Sequence, residues 1–298
     1  MPNIKLWLKN RAERLMLWGP MVSSTVLQRS TLQPSRRHLQ VIIPHRLNWS
    51  LTSATIRAFQ RLTTGDFGIT LVVNFDSVPA NWEGRRMPNL TIVQNRFSAL
   101  GRIYRRVFKS ENGSMFNAFA LAVGLESETD FEWAFIAHND SAPLAKGWNE
   151  HFARALQGGL VAGNLRDPYR VFAAHSSGTL FQQQEFRRRG GSVWPGYRFG
   201  VMLWDVSDGI TLALHKSKDP VPVLPNNLQT PELGRKLGDR YATLSKFVEN
   251  GTAVSFDEGE KVPVFAHMGR GTPRSQQDPI FSHKLPVERW IEWVETLS

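Results

Sequence analysis

Phe131-Glu-Trp-Ala-Phe-Ile-Ala-His-Asn-Asp140 is the stretch on which the reading of this chain turns. Its apolar run is short enough to be a buried strand, and it stops abruptly on three polar residues, the last being Asp140. In an open α/β sheet, ligands collect just beyond the carboxyl ends of the strands. A carboxylate placed there can hold a hard cation against phosphate oxygens. The structural alternative for such an Asp is a turn or helix cap.

Working outward, strand and helix patterns alternate on both sides of this stretch. Leu39–Ile43 reads as a buried strand closed by Pro44, followed by a helix over 50–62 with Leu51, Ile56 and Phe59 inward. Ile69–Val73 and Thr91–Val93 read as further strands, and 113–125 as a helix through Met115, Phe116, Phe119, Leu121 and Leu125. After the strand at 131–137 come a helix at 148–157 and a short strand at 160–163. Such alternation implies a mostly parallel sheet covered by helices on both faces. The second half reads as mixed. It has a strand over 171–181, a short helix over 182–189 ended by Gly190-Gly191, and the start of a helix at 210–215. Thr230-Pro231 is a good helix start, and Leu233, Leu237, Tyr241, Leu244 and Val248 keep helical spacing up to Gly251. Val262–Phe265 reads as a strand, and Val287, Trp290, Ile291 and Val294 define a closing amphipathic helix.

Composition narrows the chemistry. With 41% hydrophobic and 21% charged residues, the 298-residue chain is an ordinary globular protein with a sizeable core. It contains no cysteine, which excludes disulfides, a thiolate nucleophile and Cys-ligated zinc. No apolar stretch approaches the roughly 20 residues needed to span a bilayer, and the N-terminus lacks the pattern of a secretory signal. A cytoplasmic location is the expectation. The formal net charge is +10, with clusters at Arg36-Arg37, Arg85-Arg86, Arg105-Arg106 and Arg187-Arg188-Arg189. Together they favour an anionic partner. Residues 3–18 form a basic amphipathic pattern bearing Trp7 and Trp18, which suits either a helix lying on an anionic membrane surface or one packed on the protein's own body.

The residues that could carry chemistry follow the strand ends. Asp140 comes first. His267 is the second candidate ligand, because it follows a predicted strand and opens the turn Gly269-Arg-Gly271, where backbone amides and a guanidinium could meet phosphate. Asp205 and Asp208 precede an apolar helix-like run, and one of them could take a proton from an attacking hydroxyl or cap the helix. Asn74 and Asp76 end the second strand, where polar groups could meet a base or ribose.

In this order and spacing the residues resemble the GT-A glycosyltransferases, specifically the family-2-like group that uses nucleotide-diphospho-sugars. The resemblance runs from about residue 39 to about 272. Val41-Ile-Ile-Pro44 looks like the opening strand and its proline, and Asn74-Phe-Asp-Ser77 like the acidic turn that contacts the nucleoside. Gly113-Ser-Met-Phe-Asn117 is similar to the segment that opens the helix before the metal motif. His138-Asn-Asp140 takes the place of the Asp-x-Asp motif itself, and Lys146-Gly-Trp148 resembles the Gly-Trp that follows it. Gly190-Gly191 and Asp205–Asp208 look like the acceptor half, and His267-Met-Gly-Arg-Gly-Thr272 like the late metal-binding His segment. The pattern departs from the family at His138 and Asn74, which replace acids, at Phe116, and at Gly209, which replaces a second acid.

The resemblance implies an α/β fold of GT-A type: a Rossmann-like, mostly parallel sheet flanked by helices, with a mixed acceptor-side half and appended terminal helices. It implies three regions. Residues 1–38 would be an amphipathic helix and linker, 39–272 the catalytic domain (39–165 for the nucleotide-sugar, 166–272 for the acceptor), and 273–298 a tail and helix. A Mn²⁺ or Mg²⁺ ion would be held by Asp140, His267 and His138. Pro44, His45, Arg46, Asn74, Asp76, Gly113, Asn117, His138, Asn139 and Arg270 would surround the nucleotide-sugar. Asp208, or else Asp205, would deprotonate the acceptor, with inversion at the anomeric carbon. The implied partners are a nucleotide-diphospho-sugar donor and a saccharide or lipid-linked saccharide acceptor in cell-surface polysaccharide or lipopolysaccharide synthesis. The enzyme would work peripherally at the cytoplasmic membrane face, and nucleic acid is not an expected partner.

Other readings fit less of the chain. A nucleotidyltransferase wants a Gly-rich loop after the first strand, whereas His45-Arg-Leu-Asn-Trp-Ser50 has no glycine. A dinucleotide-dependent oxidoreductase wants G-x-G-x-x-G at the same place. A glycosidase could use Asp205 and Asp208 as its carboxylate pair but leaves the alternating half unexplained. The non-enzymatic alternative is a degenerate scaffold of this type that binds nucleic acid or an anionic polymer through its basic face.

Overall fold

The structure, a computed structural model, describes residues 22–32, 38–45, 47–108, 113–167, 170–198, 201–257, 259, 262–269 and 286–297. The amphipathic pattern at 3–18, the Arg36-Arg37 pair, and Arg46, Arg270 and Gly271 lie outside them.

The first half holds strands β1 (Val22–Gln28), β2 (Leu39–His45), β3 (Phe67–Asn74), β4 (Leu90–Phe97), β5 (Trp133–Ile136), β6 (Ser141–Pro143) and β7 (Val161–Gly163). Between them run helices α1 (Trp49–Leu62), α2 (Ala99–Phe108), α3 (Gly113–Ser127) and α4 (Trp148–Ala155). Next come β8 (Arg166–Asp167), β9 (Arg170–Ala174), β10 (Thr179–Gln182), α5 (Gln183–Arg188), β11 (Gly196–Arg198), β12 (Val201–Trp204) and α6 (Asp208–Leu214). The chain closes with α7 (Pro231–Arg235), α8 (Ala242–Glu249), β13 (Ala253–Asp257), β14 (Val262–His267) and α9 (Val287–Thr296).

The main sheet is α/β and mostly parallel, with seven strands in the order β1-β4-β3-β2-β5-β10-β7. β4, β3, β2 and β5 pair in parallel, while β1 and β10 join antiparallel. Successive residues of β2 enter different cores, as the two-residue period of a strand requires. Val41 and Ile43 pack with Ile56 and Phe59 of α1 and Trp148 and Phe152 of α4. Ile42 packs on the other face with Ala118, Phe119 and Leu121 of α3 and Ile210 of α6. A strand with both faces buried reads as a nearly continuous apolar run; Leu39–Ile43 is interrupted by Gln40 alone, whose Nε2 donates to Thr70 Oγ1 and Gly124 O. α3 lies so close to the sheet that a Cβ on Gly124 would meet Ile42 Cγ2 at 2.7 Å.

Pro44 lies inside β2 rather than closing it. Ile42 O accepts from Ala137 N–H, so residue 42, and with it 44, turns its backbone groups toward β5. The pairing with β5 ends at Ile42↔Ile136, so the N–H that proline lacks costs no ladder bond.

Three further expectations are corrected. Residues 22–28, read as linker, form an edge strand paired with β4 from Val22↔Phe97 to Gln28↔Ile92. The single strand expected over 171–181 is two strands. β9 pairs with β8, and after a turn with Gly178 at φ +88°, β10 inserts between β5 and β7. The continuous helix expected from Thr230 to Gly251 is broken into α7, one 3₁₀ turn at Asp239–Tyr241, and α8. Leu233, Leu237, Tyr241, Leu244 and Val248 nevertheless all pack in one apolar cluster; their spacing reported burial, not helical continuity.

The closing helix is integral to the body. Val287, Trp290 and Val294 of α9 share a core with Leu51, Ala54 and Ala58 of α1. Arg57 bridges Glu83 and Glu295, and Arg61 Nη2 donates to Val294 O at 2.8 Å.

Candidate functional site

The centre of the site is a turn held from two sides. β5 ends at Ile136, and the chain reverses over His138–Ser141, where Ser141 N–H and Oγ both donate to His138 O, at 3.2 and 2.7 Å. The chain then enters β6, which pairs antiparallel with β14 in the register Ser141↔His267. Met268 N–H donates to Asp140 O at 2.9 Å and extends that ladder past the strand ends. The ladder thus sets His267 beside Asp140, with His267 Nε2 3.3 Å from Asp140 Oδ1. The ring of His138 lies 5.3 Å from that of His267, centroid to centroid.

One ligand atom each from His138, Asp140 and His267 can be chosen so that all lie within 4.8 Å of one another. That spacing suits three ligands of one ion. Asp140 is 7% exposed, so its carboxylate has little contact with bulk water. Burial first, and then the charge of His267, pull the His138 imidazole down to about 4, against the opposing pull of Asp140. A neutral imidazole is the form that binds metal. His138 Nε2 has Asn117 Nδ2 of α3 and Ser176 Oγ each at 3.4 Å, long contacts that frame the ring.

A third imidazole sits at this edge that the sequence reading did not single out. The ring of His175 lies 5.5 Å from that of His267 and 6.3 Å from that of His138. Its Nδ1 accepts from Ser177 N–H at 3.1 Å, which leaves the ring proton on Nε2. No local motif marks it. It arrives through the turn between β9 and β10, which the sequence reading took as mid-strand.

The remaining expected residues divide into those at the edge and those turned to structural work. His45, at the end of β2, is buried, with Nδ1 2.7 Å from Thr52 Oγ1 and Nε2 3.1 Å from Asp76 Oδ2. Its ring stacks on Trp49 at 3.9 Å. Burial lowers its pKa and outweighs the opposing pull of Asp76. Asn74 bridges β3 to its neighbours by donating to Phe116 O and accepting from Asn95 Nδ2. Phe75 follows at φ +59°, a backbone region unusual for a bulky residue, and its ring stacks on Phe97 at 3.8 Å. Asn139 turns away from the cluster, since its Nδ2 donates to Thr52 Oγ1 and its carbonyl accepts from Thr55. It anchors the turn to α1. Pro44 is half-buried beside His45, and Gly113 opens α3.

Asp205 and Asp208 form the turn into α6. Asp205 N–H donates to Asp208 Oδ2 at 2.8 Å, Asp205 Oδ1 accepts from Val206 N–H at 2.7 Å, and Ser207 between them sits at φ +71°. Asp208 is 2% exposed. One helical turn on, Thr211 Oγ1 accepts from Ala174 N–H at 3.1 Å, so α6 abuts the strand end that delivers His175 to the cluster. Gly190 and Gly191 end α5, where a Cβ on Gly191 would run into the Phe186 ring.

No protein-family model matches the chain, and no curated protein matches it. Among solved structures it is similar to the mannosyltransferase PcManGT from Pyrobaculum calidifontis, in complex with GDP-Man and Mn²⁺, at 14% identity over 98% of this chain and 82% of that one, with a TM-score of 0.39. It is similar to TarS of S. aureus at 11% identity over 75% of this chain and 41% of that one, with a TM-score of 0.40. It is also similar to the glycosyltransferase GlyE of Streptococcus pneumoniae TIGR4, at 12% identity over 86% of this chain and 60% of that one, with a TM-score of 0.43.

Proposed function

We propose that the chain is a glycosyltransferase that moves a sugar from a nucleotide-diphospho-sugar to an acceptor hydroxyl, with a divalent cation held by His138, Asp140 and His267. The observation that carries the reading is the convergence of these ligand atoms within 4.8 Å at the edge of a mostly parallel sheet. The ordered resemblance of the flanking segments supports it. Two imidazoles and one carboxylate fit Mn²⁺ better than Mg²⁺, which prefers oxygen ligands in an octahedral shell. When bound, such an ion neutralises charge on a departing nucleoside diphosphate.

The chain's own residues do the rest. Desolvation lowers the half-buried His138 imidazole to about 4, so it stays neutral through the physiological range and offers a lone pair without competition from protons. Asn74 and Asp76 close the β3 edge, where a base and ribose would lie. Asp208 is the proposed base. One of its oxygens is held by the Asp205 N–H, which orients the carboxylate, and Asp205 is the alternative base. Attack opposite the leaving diphosphate would invert the anomeric carbon. A saccharide or lipid-linked saccharide on the way to a surface polysaccharide is the proposed acceptor.

The test is a thermal-shift and calorimetric screen of UDP and GDP with and without Mn²⁺. Stabilisation by a nucleotide only when the metal is present is the expected result. Salt-sensitive retention on nucleic acid, with no nucleotide effect in either metal condition, would overturn the reading in favour of a binding scaffold.

A further inference from the structure

We infer that α2 is a membrane-surface helix, and that it docks the edge of the sheet carrying the His–Asp–His cluster against anionic lipid. The inference does not rest on the transferase reading. α2 carries large apolar side chains on its exposed surface. Leu100 and Ile103 fall about 60° apart on the helix, and they are 51% and 61% exposed. Among the residues of α2 whose burial is described, the buried one is Gly101, which brings no side chain to the interior. A surface helix of a globular protein turns its apolar residues inward; Leu100 and Ile103 face solvent instead.

Charge decides what covers that stripe. From Arg96 to Lys109 the sequence carries Arg96, Arg102, Arg105, Arg106 and Lys109 and no acid. Arg96, Arg102 and Arg106 are exposed. An apolar stripe edged with arginines is the arrangement of a helix lying in the interface of an anionic bilayer, where apolar insertion and headgroup attraction add. A second copy of the same face would oppose cation to cation. α2 has 10 residues, half of the roughly 20 needed to span a bilayer, so its contact is with the surface.

Topology supplies the consequence. β4 and β5 run in the same direction through β3 and β2. α2 begins just past the carboxyl end of β4, and His138 lies just past that of β5. Docking through α2 therefore turns the edge bearing the cluster toward the lipid headgroups.

The experiment uses the full chain and vesicles of phosphatidylcholine, alone or mixed with phosphatidylglycerol. Co-sedimentation with the mixed vesicles and not with the neutral ones is the expected result. Leu100→Ser with Ile103→Ser should weaken it at least about tenfold. Arg102→Gln with Arg106→Gln should weaken it about fivefold per charge removed. Because the chain has no cysteine, Ile103→Cys can carry a single environment-sensitive fluorophore, whose emission should shift to the blue on mixed vesicles. Absence of binding by the unaltered chain overturns the proposal. So does undiminished binding of both double variants, with Trp7→Ser and Trp18→Ser abolishing it instead. A blue shift that grows with protein concentration and needs no vesicles would make the face a protein contact, and would overturn it equally.

Discussion

Asp140 and His267 stand 3.3 Å apart because β6 and β14 are in register, with Ser141 opposite His267. Neither residue is held by its sequence neighbours alone. The turn closed on His138 O sets one and the antiparallel ladder sets the other, so the cluster forms only when the second, smaller sheet does.

The first prediction concerns that pair. Asp140→Asn and His267→Ala should each weaken Mn²⁺ binding, measured by calorimetry or by electron paramagnetic resonance, by at least about 100-fold. Loss of a hydrogen-bonded support to a ligand already costs about 10- to 100-fold. Unchanged affinity in either variant removes that residue from the ligand set.

Stability should fall on mild acidification. His138 titrates near 4 in the folded chain and near 6.5 when unfolded. Between these values the unfolded chain binds a proton that the folded one refuses. The cost begins as pH drops through about 6.5 and is complete near 4, reaching roughly 3 kcal/mol. His45, also lowered by burial, acts with the same sign. Urea denaturation of metal-free protein at pH 7 and pH 5 measures the effect. His138→Asn should flatten the slope, and an unaltered slope in that variant rules out this source.

Gly124→Ala should destabilise the fold by about 1–3 kcal/mol. Alanine ordinarily strengthens a helix by up to about 1 kcal/mol over glycine. Here the new methyl would meet Ile42 Cγ2 at 2.7 Å, and Ile42 is fixed in the central strand. Thermal denaturation that rises instead would mean α3 has room to shift.

Asp208→Asn should lower kcat about 10²- to 10⁴-fold, the usual contribution of a general base, while leaving metal-dependent nucleotide affinity unchanged. Asp205→Asn should have the smaller effect on turnover. If the two exchange places, the base is Asp205 and Asp208 is its support.

Trp290→Ala should cost about 3–5 kcal/mol, as truncation of a fully buried aromatic does. Its side chain is 0% exposed between α9 and α1. A cost under about 1 kcal/mol would show that α9 is an appendage, as the sequence reading had it, rather than part of the core.

Much of the architecture was legible before folding. The buried strands at 39–45, 67–74 and 133–136 announce themselves because a strand covered on both faces has few polar positions to spare. Asp140 and His267 were legible because each stands at the carboxyl end of an apolar run. β1 was not, since Val-Ser-Ser-Thr-Val-Leu-Gln is half exposed at the sheet edge and carries little apolar signal. The turn before β10 was missed although His175-Ser-Ser-Gly178 is polar and Ser-Gly marks a turn: apolar residues flank it on both sides, and periodicity cannot show where a strand leaves one sheet for another. The break between α7 and α8 was hidden because packing in one cluster preserves apolar spacing without a continuous helix.

By itself the sequence determined the alternation of strands and helices, the residues that had to be buried, and the polar groups that end each strand, because these follow from local patterns of apolar and polar side chains. Only the tertiary structure decided which strand ends meet. It set His267 against Asp140, brought His175 beside His267 and His138, and turned Asn139 away. Those outcomes depend on strand register and on the direction of a turn, which are settled by contacts between segments far apart in the chain.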